Sequence, residues 1–333
     1  MGSREYISSC LVDQAVILAG KAAFKHKNMK QDAELLPTNY VKLPDAQSAY
    51  SISGDGPPIL LLHGFPETHA SWLQVVPLLT PAFTLVMPDL PGYGDSSISA
   101  EGGDERYTKR NMARLLVAFM EQLGYTAFFV AGHDRGGRVA FRLCLDYPQR
   151  VWKAAMLDII PTVDIAERID FSLAGALANW WFMSQLHPLP ESILAASHDL
   201  YLEYILNKWS GEKAFILPAA RRDYFRCFRR RAVIEAVCAE YRAGNSFDLQ
   251  AERASRDSDQ HIQCPLLVLW SDDGFVTGFG DPISVWKQWC RDVTGQQMAA
   301  SLFLMEEQPG DTADYLRSFF SGAAAAKMPP RSG

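Results

Sequence analysis

The stretch "FFVAGHDRGGRVAF", residues 128–141, places a single carboxylate between two different kinds of secondary structure. A run of apolar residues ends at Gly132, and a helical pattern begins at the pair Gly136 and Gly137. The apolar run predicts a buried strand, and the glycines predict a turn too tight for larger side chains. Asp134 therefore lies at the tip of the turn and at the amino end of a helix, where the helix dipole favours a negative charge.

This turn is one of several places where a short apolar run stops at a polar or turn-forming residue. The runs are "PPILLLHGF" (57–65), "FTLVMPDLPGYG" (83–94), "AFFVAGHD" (127–134), "AAMLDIIP" (154–161) and "PLLVLWSDDG" (265–274). Buried parallel strands end in this way where they pass into functional loops. Helical patterns such as "TKRNMARLLVAFMEQLG" (108–124) separate the runs, so the sequence predicts an α/β fold with a mostly parallel central sheet flanked by helices.

The alternation of strands and helices stops after residue 161 and resumes at residue 262. The intervening segment is helical in pattern and rich in aromatic residues and arginine, as in "NWWF" and "DYFRCF". A helical insertion between two parts of one sheet predicts a cap over a site at the sheet edge. The predicted organisation is an N-terminal extension (1–38), an α/β core (39–161 and 262–322), a helical cap (162–261) and a flexible tail (323–333).

Composition and charge exclude several classes of protein. Apolar residues make up 48% of the chain and charged residues 21%, which excludes a disordered chain. The formal net charge of −6 argues against a nucleic-acid partner, and no segment reads as a membrane span. No metal-ligand spacing and no dinucleotide-binding glycine pattern occurs, so we expect no cofactor. The expected partner is a small-molecule substrate, with a homodimer left open.

The cysteines point to the compartment in which the protein works. The chain contains six of them, at positions Cys10, Cys144, Cys227, Cys238, Cys264 and Cys290. They show neither CxxC pairing nor metal-ligand spacing, and a chain of this length does not need disulfides for stability. We therefore expect free thiols and a cytoplasmic location.

Two further motifs follow neighbouring predicted strands. "HGFP" (63–66) comes after the first strong strand, where backbone N–H groups, chiefly that of Phe65, can hold a developing anion. "DLPGYGDS" (89–96) follows the next strand and supplies a second loop at the same edge. A plain strand-to-helix turn with Asp134 as helix N-cap is the alternative interpretation, and the two companion motifs favour a nucleophile at a strained turn instead.

With these motifs the chain resembles an α/β-hydrolase, and within that superfamily the haloacetate (fluoroacetate) dehalogenases and their epoxide-hydrolase relatives. The matching stretches are "HGFPETHASW" (63–72), "GHDRGGRVAFR" (132–142), "LDIIPT" (157–162), "EYRAG" (240–244) and "FLMEEQPGDTA" (303–313). The resemblance covers the chain from about residue 40 to 320 and implies an α/β-hydrolase fold.

The resemblance implies a role for each matching residue near the turn. Asp134 would displace a leaving group from a substrate carbon and form an ester, and Asp158 would orient a catalytic histidine. Asp273 in "WSDDG" is the alternative acid, because other α/β-hydrolases carry it after the following strand. Arg135 and Arg138 would hold a substrate carboxylate with their forked donors, or else form ion pairs at the helix start.

The resemblance also implies a halide pocket, and the sequence departs from the family there. Trp180 and Tyr241 match the N–H and O–H donors of that pocket, although core packing is an equally good interpretation of Trp180. Asn179 stands where family members carry a histidine, and an amide donates to an anion without carrying charge.

The largest departure is Leu302, which aligns with the histidine that acts as the base in the family. A leucine takes no proton, and general base catalysis contributes roughly 10²–10⁴-fold. His187 in the predicted cap is a candidate substitute. Glu306 and Glu307 are expected to cap the following helix.

Three functions follow from this set of residues. The first is a hydrolase-like enzyme with an Asp134 nucleophile, acting on a small organic substrate that bears a carboxylate. The second is a non-hydrolytic tailoring enzyme of secondary metabolism, a cyclase, isomerase or lyase, that uses the same pocket. The third is a ligand-binding protein without catalysis, which has little use for a strained turn that bears a carboxylate.

Overall fold

The computed structural model describes residues 34–99, 101–210 and 216–321. Most of the predicted N-terminal extension and all of the predicted tail (323–333) lie outside the described residues. Within the described ranges, no helix combines the length and the apolar character needed to cross a membrane.

A mixed sheet of nine strands organises the described part of the chain. The strands are β1 (Asn39–Leu43), β2 (Ala46–Ser53), β3 (Pro58–Leu62), β4 (Thr84–Pro88), β5 (Ser97–Ile98), β6 (Phe128–His133), β7 (Val151–Leu157), β8 (Leu266–Ser271) and β9 (Val293–Met298). Their order is β1-β2-β4-β3-β6-β7-β8-β9, and β5 pairs with β2. Strand β2 pairs antiparallel with β1, β4 and β5, whereas every pair from β4 to β9 is parallel. The predicted mostly parallel sheet is confirmed.

Helices cover both faces of this sheet. They are α1 (Val76–Leu79), α2 (Lys109–Gln122), α3 (Asp134–Asp146), α4 (Thr162–Arg168), α5 (Phe171–Ala176), α6 (Ala178–Met183), α7 (Leu189–Trp209), α8 (Pro218–Phe228), α9 (Arg231–Ala243), α10 (Leu249–Asp257), α11 (Pro282–Trp286), α12 (Leu304–Glu307) and α13 (Pro309–Ser321). Strand β3 shows why two helical layers are needed. Ile59 and Leu61 belong to one buried apolar cluster and Leu60 and Leu62 to another, because successive side chains of a strand point to opposite faces.

The chain leaves the sheet after β7 and returns to it at β8. Helices α4 to α10 follow one another between Thr162 and Asp257, and no strand occurs among the described residues of that interval. This interval corresponds to the predicted cap, whose limits as a separate unit stay a prediction.

The register of the central strands positions the site. Leu62 of β3 pairs with Gly132 of β6, and Leu157 of β7 pairs with both His133 of β6 and Leu269 of β8. Because these strands are parallel and in register, their carboxyl ends meet at one edge of the sheet. The loops that follow all four strands are therefore neighbours.

Candidate active site

Asp134 occupies the turn between β6 and α3 with a backbone angle φ of 44°. This angle lies in the left-handed region, which is strained for a residue with a side chain. The turn requires glycine beside it, because a Cβ on Gly136 would lie 2.3 Å from the carbonyl oxygen of His63. A Cβ on Gly132 would likewise lie 2.5 Å from the carbonyl oxygen of Gly136. The geometry is that of a nucleophile elbow.

One oxygen of the Asp134 carboxylate is held by the backbone. The N–H of Phe65, in the loop after β3, donates to Asp134 Oδ1 over 2.9 Å. Among the described residues no hydrogen bond engages Asp134 Oδ2. The carboxylate is therefore oriented through one oxygen and open for chemistry at the other.

Asp134 borders a cavity of about 390 Å³ between the strand ends and the helical segment. The lining residues are Asp134, Arg135, Arg138, Asp158, Ala176, Leu177, Asn179, Trp180, Lys208, Trp209, Ser210, Tyr241, Asp273, Gly274, Phe275, Ser301 and Leu302. Of the candidate side chains from the sequence, Phe65 and His187 lie outside this lining, and Phe65 contributes its backbone N–H instead. Positions up to 168 residues apart in sequence, from Asp134 to Leu302, thus share one space.

The positive charge of Arg135 is balanced by a buried carboxylate. Its guanidinium is buried and donates from Nε and Nη2 to Glu240 Oε1 over 3.0 and 2.5 Å. Lys109 forms a second ion pair with the same carboxylate. Burial would raise the pKa of Glu240, but Arg135 and Lys109 outweigh burial and lower it. Glu240 belongs to the "EYRAG" motif, yet sequence reasoning did not identify it as the partner of Arg135.

Arg138, one turn further along α3, has no such partner. Its Nη1 donates to the carbonyl oxygen of Ile160 and to Thr162 Oγ1, over 3.1 and 3.0 Å, and its buried Nε has no hydrogen-bond partner. Among the described residues no carboxylate lies within ion-pair distance of it. The nearby Glu252 accepts from the Val163 N–H, and burial raises the pKa of Glu252 to about 7. Burial, with a contribution from Arg135, lowers the pKa of Arg138.

Trp180 and Tyr241 form an aromatic wall beside the two arginines. The Trp180 ring lies 4.7 Å from Arg138 Cζ, and its buried Nε1 has no hydrogen-bond partner. Tyr241 meets Trp180 edge-on, with ring centroids 6.4 Å apart, and lies 4.1 Å from Arg135 Cζ. Asn179 is half-buried in the same lining. The structure thus leaves the indole N–H of Trp180 as a buried donor whose hydrogen bond is unmade.

Asp158 follows β7 with φ of 51° and is fully buried. Its Oδ1 accepts from the N–H and the hydroxyl of Ser271, over 2.9 and 2.8 Å, whereas its Oδ2 has no partner. Burial raises the pKa of Asp158 to about 6, although the two Ser271 donors oppose the rise. Asp273, the alternative acid, is exposed in the same lining. Of the two acids, Asp158 is the one held in a fixed position by its hydrogen bonds.

The chain is similar to known proteins over most of its length. The sequence model of the alpha/beta hydrolase fold matches residues 57–302. The chain belongs to the alpha/beta hydrolase family. This hydrolase is 36% identical to fluoroacetate dehalogenase of Burkholderia sp, over 82% of its own length and 90% of the relative. It is 28% identical to the soluble epoxide hydrolase of Corynebacterium sp. (strain C12), over 82% and 93% of the two chains.

A solved structure is also similar to this chain in fold and sequence. ALR0039 from Nostoc sp PCC 7120, provisionally described as an alpha/beta hydrolase, matches with a TM-score of 0.83 and 40% identity. The match covers 86% of this hydrolase and 98% of that chain. The resemblance to dehalogenases and epoxide hydrolases read from the motifs is confirmed.

The loop that carries Leu302 is held by a histidine from β6. His133 contacts Glu67 Oε2 through Nδ1 at 3.0 Å and the carbonyl oxygen of Leu302 through Nε2 at 2.9 Å. Burial alone would lower the pKa of His133, but the Glu67 carboxylate raises it to about 9. Both ring nitrogens are engaged, so His133 positions the backbone of Leu302 and is not available as a base. The motif contained this residue, but nothing in the sequence linked it to Leu302.

No described histidine lines the cavity. His187, the candidate substitute, lies outside the lining, with its Nδ1 3.5 Å from Glu191 Oε1. The expectation that Glu306 and Glu307 cap the following helix is wrong. Glu307 accepts from the N–H groups of Ser301 and Phe303, which precede it, and Glu306 accepts from the Tyr224 hydroxyl. Both glutamates are buried, and Glu307 accepts from the loop before its helix whereas Glu306 accepts from helix α8.

Proposed function

We propose that this hydrolase removes a leaving group, in the simplest case a halide, from the saturated carbon next to a carboxylate, with Asp134 as nucleophile. One observation carries the proposal: the unengaged oxygen of Asp134 and the guanidinium of Arg138, which has no carboxylate partner, border the same cavity. A fixed anion beside an unpaired cation suits a substrate with an electrophilic carbon next to an acid group. The relative named fluoroacetate dehalogenase supports a halogenated acid as substrate.

In the first step, Asp134 Oδ2 attacks the substrate carbon and the carbon–halogen bond breaks. Arg138 holds the substrate carboxylate, and the halide leaves toward the Trp180 N–H. The product of the step is an ester between Asp134 and the substrate. Its hydrolysis releases a hydroxy acid and restores Asp134, with the Phe65 N–H placed to stabilise charge on the ester oxygen.

Chloroacetate and its release of chloride test this proposal. The wild type is expected to release chloride and to carry the acid as an ester on the peptide that contains Asp134, by intact mass and peptide mapping. Asp134→Asn keeps the shape of the side chain and is expected to lose both signals. The six cysteines are the chemical alternative for alkylation, and the variant retains them as a baseline. Equal chloride release by the variant contradicts the proposal.

A second candidate function is favoured by the apolar side chain of Leu302 and by the absence of a described histidine from the lining. A non-hydrolytic lyase, isomerase or cyclase would use Asp134 as acid or base and would need no water-activating group. It predicts that carboxylic acids bind and protect the wild type against thermal unfolding while chloroacetate forms no ester on Asp134.

A further inference from the structure

We infer that Asp158 is the general base of this hydrolase: its Oδ2 accepts the proton of the water that cleaves the Asp134 ester. The inference rests on the proposed function, because it concerns how the ester formed there is broken. In the resemblance Asp158 only orients a histidine, and Leu302 leaves it without that partner.

Asp158 lines the same cavity as Asp134 and has one oxygen without a hydrogen-bond partner. The two aspartates directly follow the adjacent parallel strands β7 and β6. Ser271 engages Oδ1 with two donors, so the unpartnered Oδ2 is held in one orientation. Gly274 brings no side chain against this oxygen, and a Cβ there would lie 3.1 Å from Asp158 Oδ2.

The charged groups around Asp158 leave it able to take a proton. His133 is the nearby cation, and its two ring nitrogens are committed to Glu67 and to the Leu302 carbonyl oxygen. Burial makes the largest contribution to the raised pKa of Asp158 and persists in the ester state, whereas the smaller contribution of the Asp134 anion is present only in the free protein. The resulting pKa of about 6 lies close to that of an imidazole, and a base with a pKa near the working pH is the most effective.

The step balances without another reactant. Water gives a proton to Asp158 Oδ2, and its oxygen adds to the ester carbon, Asp134 Cγ. The bond from Cγ to the alkoxy oxygen then breaks, and the departing alkoxide takes the proton back from Asp158. The carboxyl group of Asp134 loses its own proton to solvent, which restores the nucleophile.

Water reaches Asp158 Oδ2 only after a side chain of the lining moves. The oxygen has no exposed surface in the resting cavity. Leu302 shares the lining and carries only a hydrocarbon side chain, so it can change rotamer without breaking a side-chain hydrogen bond.

Single-turnover measurements separate formation of the ester from its breakdown. The protein is loaded with chloroacetate, and the ester is followed by intact mass after acid quench between pH 5 and pH 8. We expect breakdown in the wild type to speed up as pH rises through about 6 and then to level off. In Asp158→Asn breakdown is expected to fall by roughly 10²-fold or more, far beyond any change in formation.

A second variant guards against loss of folding in Asp158→Asn. Ser271→Ala removes the hydroxyl donor to Oδ1, which opposes the rise in the pKa of Asp158. The midpoint of the pH profile for ester breakdown is expected to shift to higher pH in this variant. A merely structural role for Asp158 would change the rate without moving the midpoint.

The outcomes distinguish the inference from the proposed function. An ester that forms and decays at the same rate in Asp158→Asn and in the wild type overturns the inference and leaves the proposed function intact. An ester that persists in the wild type at every pH does the same. Failure of the wild type to form any ester on Asp134 overturns the proposed function itself.

Discussion

At the Asp134 end of the cavity, the strained turn, the Phe65 N–H and the unpaired Arg138 are all present. At the Leu302 end, a hydrocarbon stands where the resemblance places a base, and Asp158 in the same lining has an oxygen without a partner. In the proposed reaction the first end needs no proton acceptor, because carbon–halogen bond cleavage by a carboxylate moves no proton. The second end would activate water in that reaction and therefore needs a proton acceptor.

The two half-reactions of the proposed mechanism therefore depend on different parts of the structure. The nucleophile end rests on close backbone packing, as the 2.3 Å approach at Gly136 shows, and tolerates little change. The Leu302 end, or base end, contains Asp158 and the loop of Leu302, whose carbonyl oxygen contacts His133 Nε2. Because this contact is to the backbone, it does not depend on which side chain occupies position 302.

Restoring the imidazole should have the largest effect. Leu302→His adds an imidazole to the lining that already contains Asp158, so ester breakdown is expected to rise by up to roughly 10²-fold, less than the full contribution of a general base because Asp158 already supplies one. The rate is read from the decay of the ester by intact mass. Leu302→Gln, polar but without a base, is the matched control. An equal gain in the glutamine variant would mean that polarity and not proton transfer limits the base end.

The next largest effect should distinguish the two arginines at the Asp134 end, because their replacement is expected to change different properties. Arg138→Met is expected to raise KM for chloroacetate by about 10–100-fold, since it removes a charge-assisted contact to the carboxylate. Chloroacetamide, which lacks the negative charge, should show little change. Arg135→Met is the control, and its main effect should be a lower free energy of unfolding, because it leaves Glu240 with Lys109 alone. Equal KM effects in both variants would contradict the assignment.

A smaller effect is expected from the leaving-group contact. Trp180→Phe removes the unpartnered N–H and keeps a ring beside Arg138. Ester formation from chloroacetate should slow by about 10-fold, the value of one hydrogen bond to a charged group. Single-turnover chloride release measures it. An unchanged rate would mean that Trp180 serves core packing and does not contact the leaving group.

The smallest expected effect concerns stability at the base end. The pKa of Asp158 is raised from 3.8 to about 6, so the folded state binds this proton more tightly than the unfolded state. The resulting stability is present below about pH 4 and is lost as pH rises through about 6. Asp158→Asn stays neutral and is expected to be about 1–2 kcal/mol more stable than the wild type at pH 7, with no gain at pH 4.

Urea unfolding of both proteins at several pH values measures this difference. Parallel stability curves between pH 4 and pH 7 would show that burial of Asp158 carries no cost. The same variant is expected to lose ester breakdown, so the base end would show a direct exchange of stability for catalysis.

Much of the fold could be predicted because its signals are local. Each central strand is a continuous apolar run, and the parallel sheet follows from the alternation of such runs with helices. The turn at Asp134 could be predicted as well, because glycine is the residue that a close backbone approach demands. The direction in which Glu306 and Glu307 face could not, because both carboxylates bind groups that precede or lie far from their helix.

The sequence by itself determined the α/β core, the aspartate at its tightest turn and the leucine at position 302. Only the tertiary structure decided which arginine has a carboxylate partner, because the partner of Arg135 is Glu240, 105 residues away. The tertiary structure also decided that one oxygen of Asp158 is hydrogen-bonded and the other is not, because the donor is Ser271, 113 residues away in sequence. Local sequence patterns predict strands, helices and turns. Ionisation and hydrogen bonding depend on distances between segments that are remote in sequence, and only the tertiary structure sets those distances.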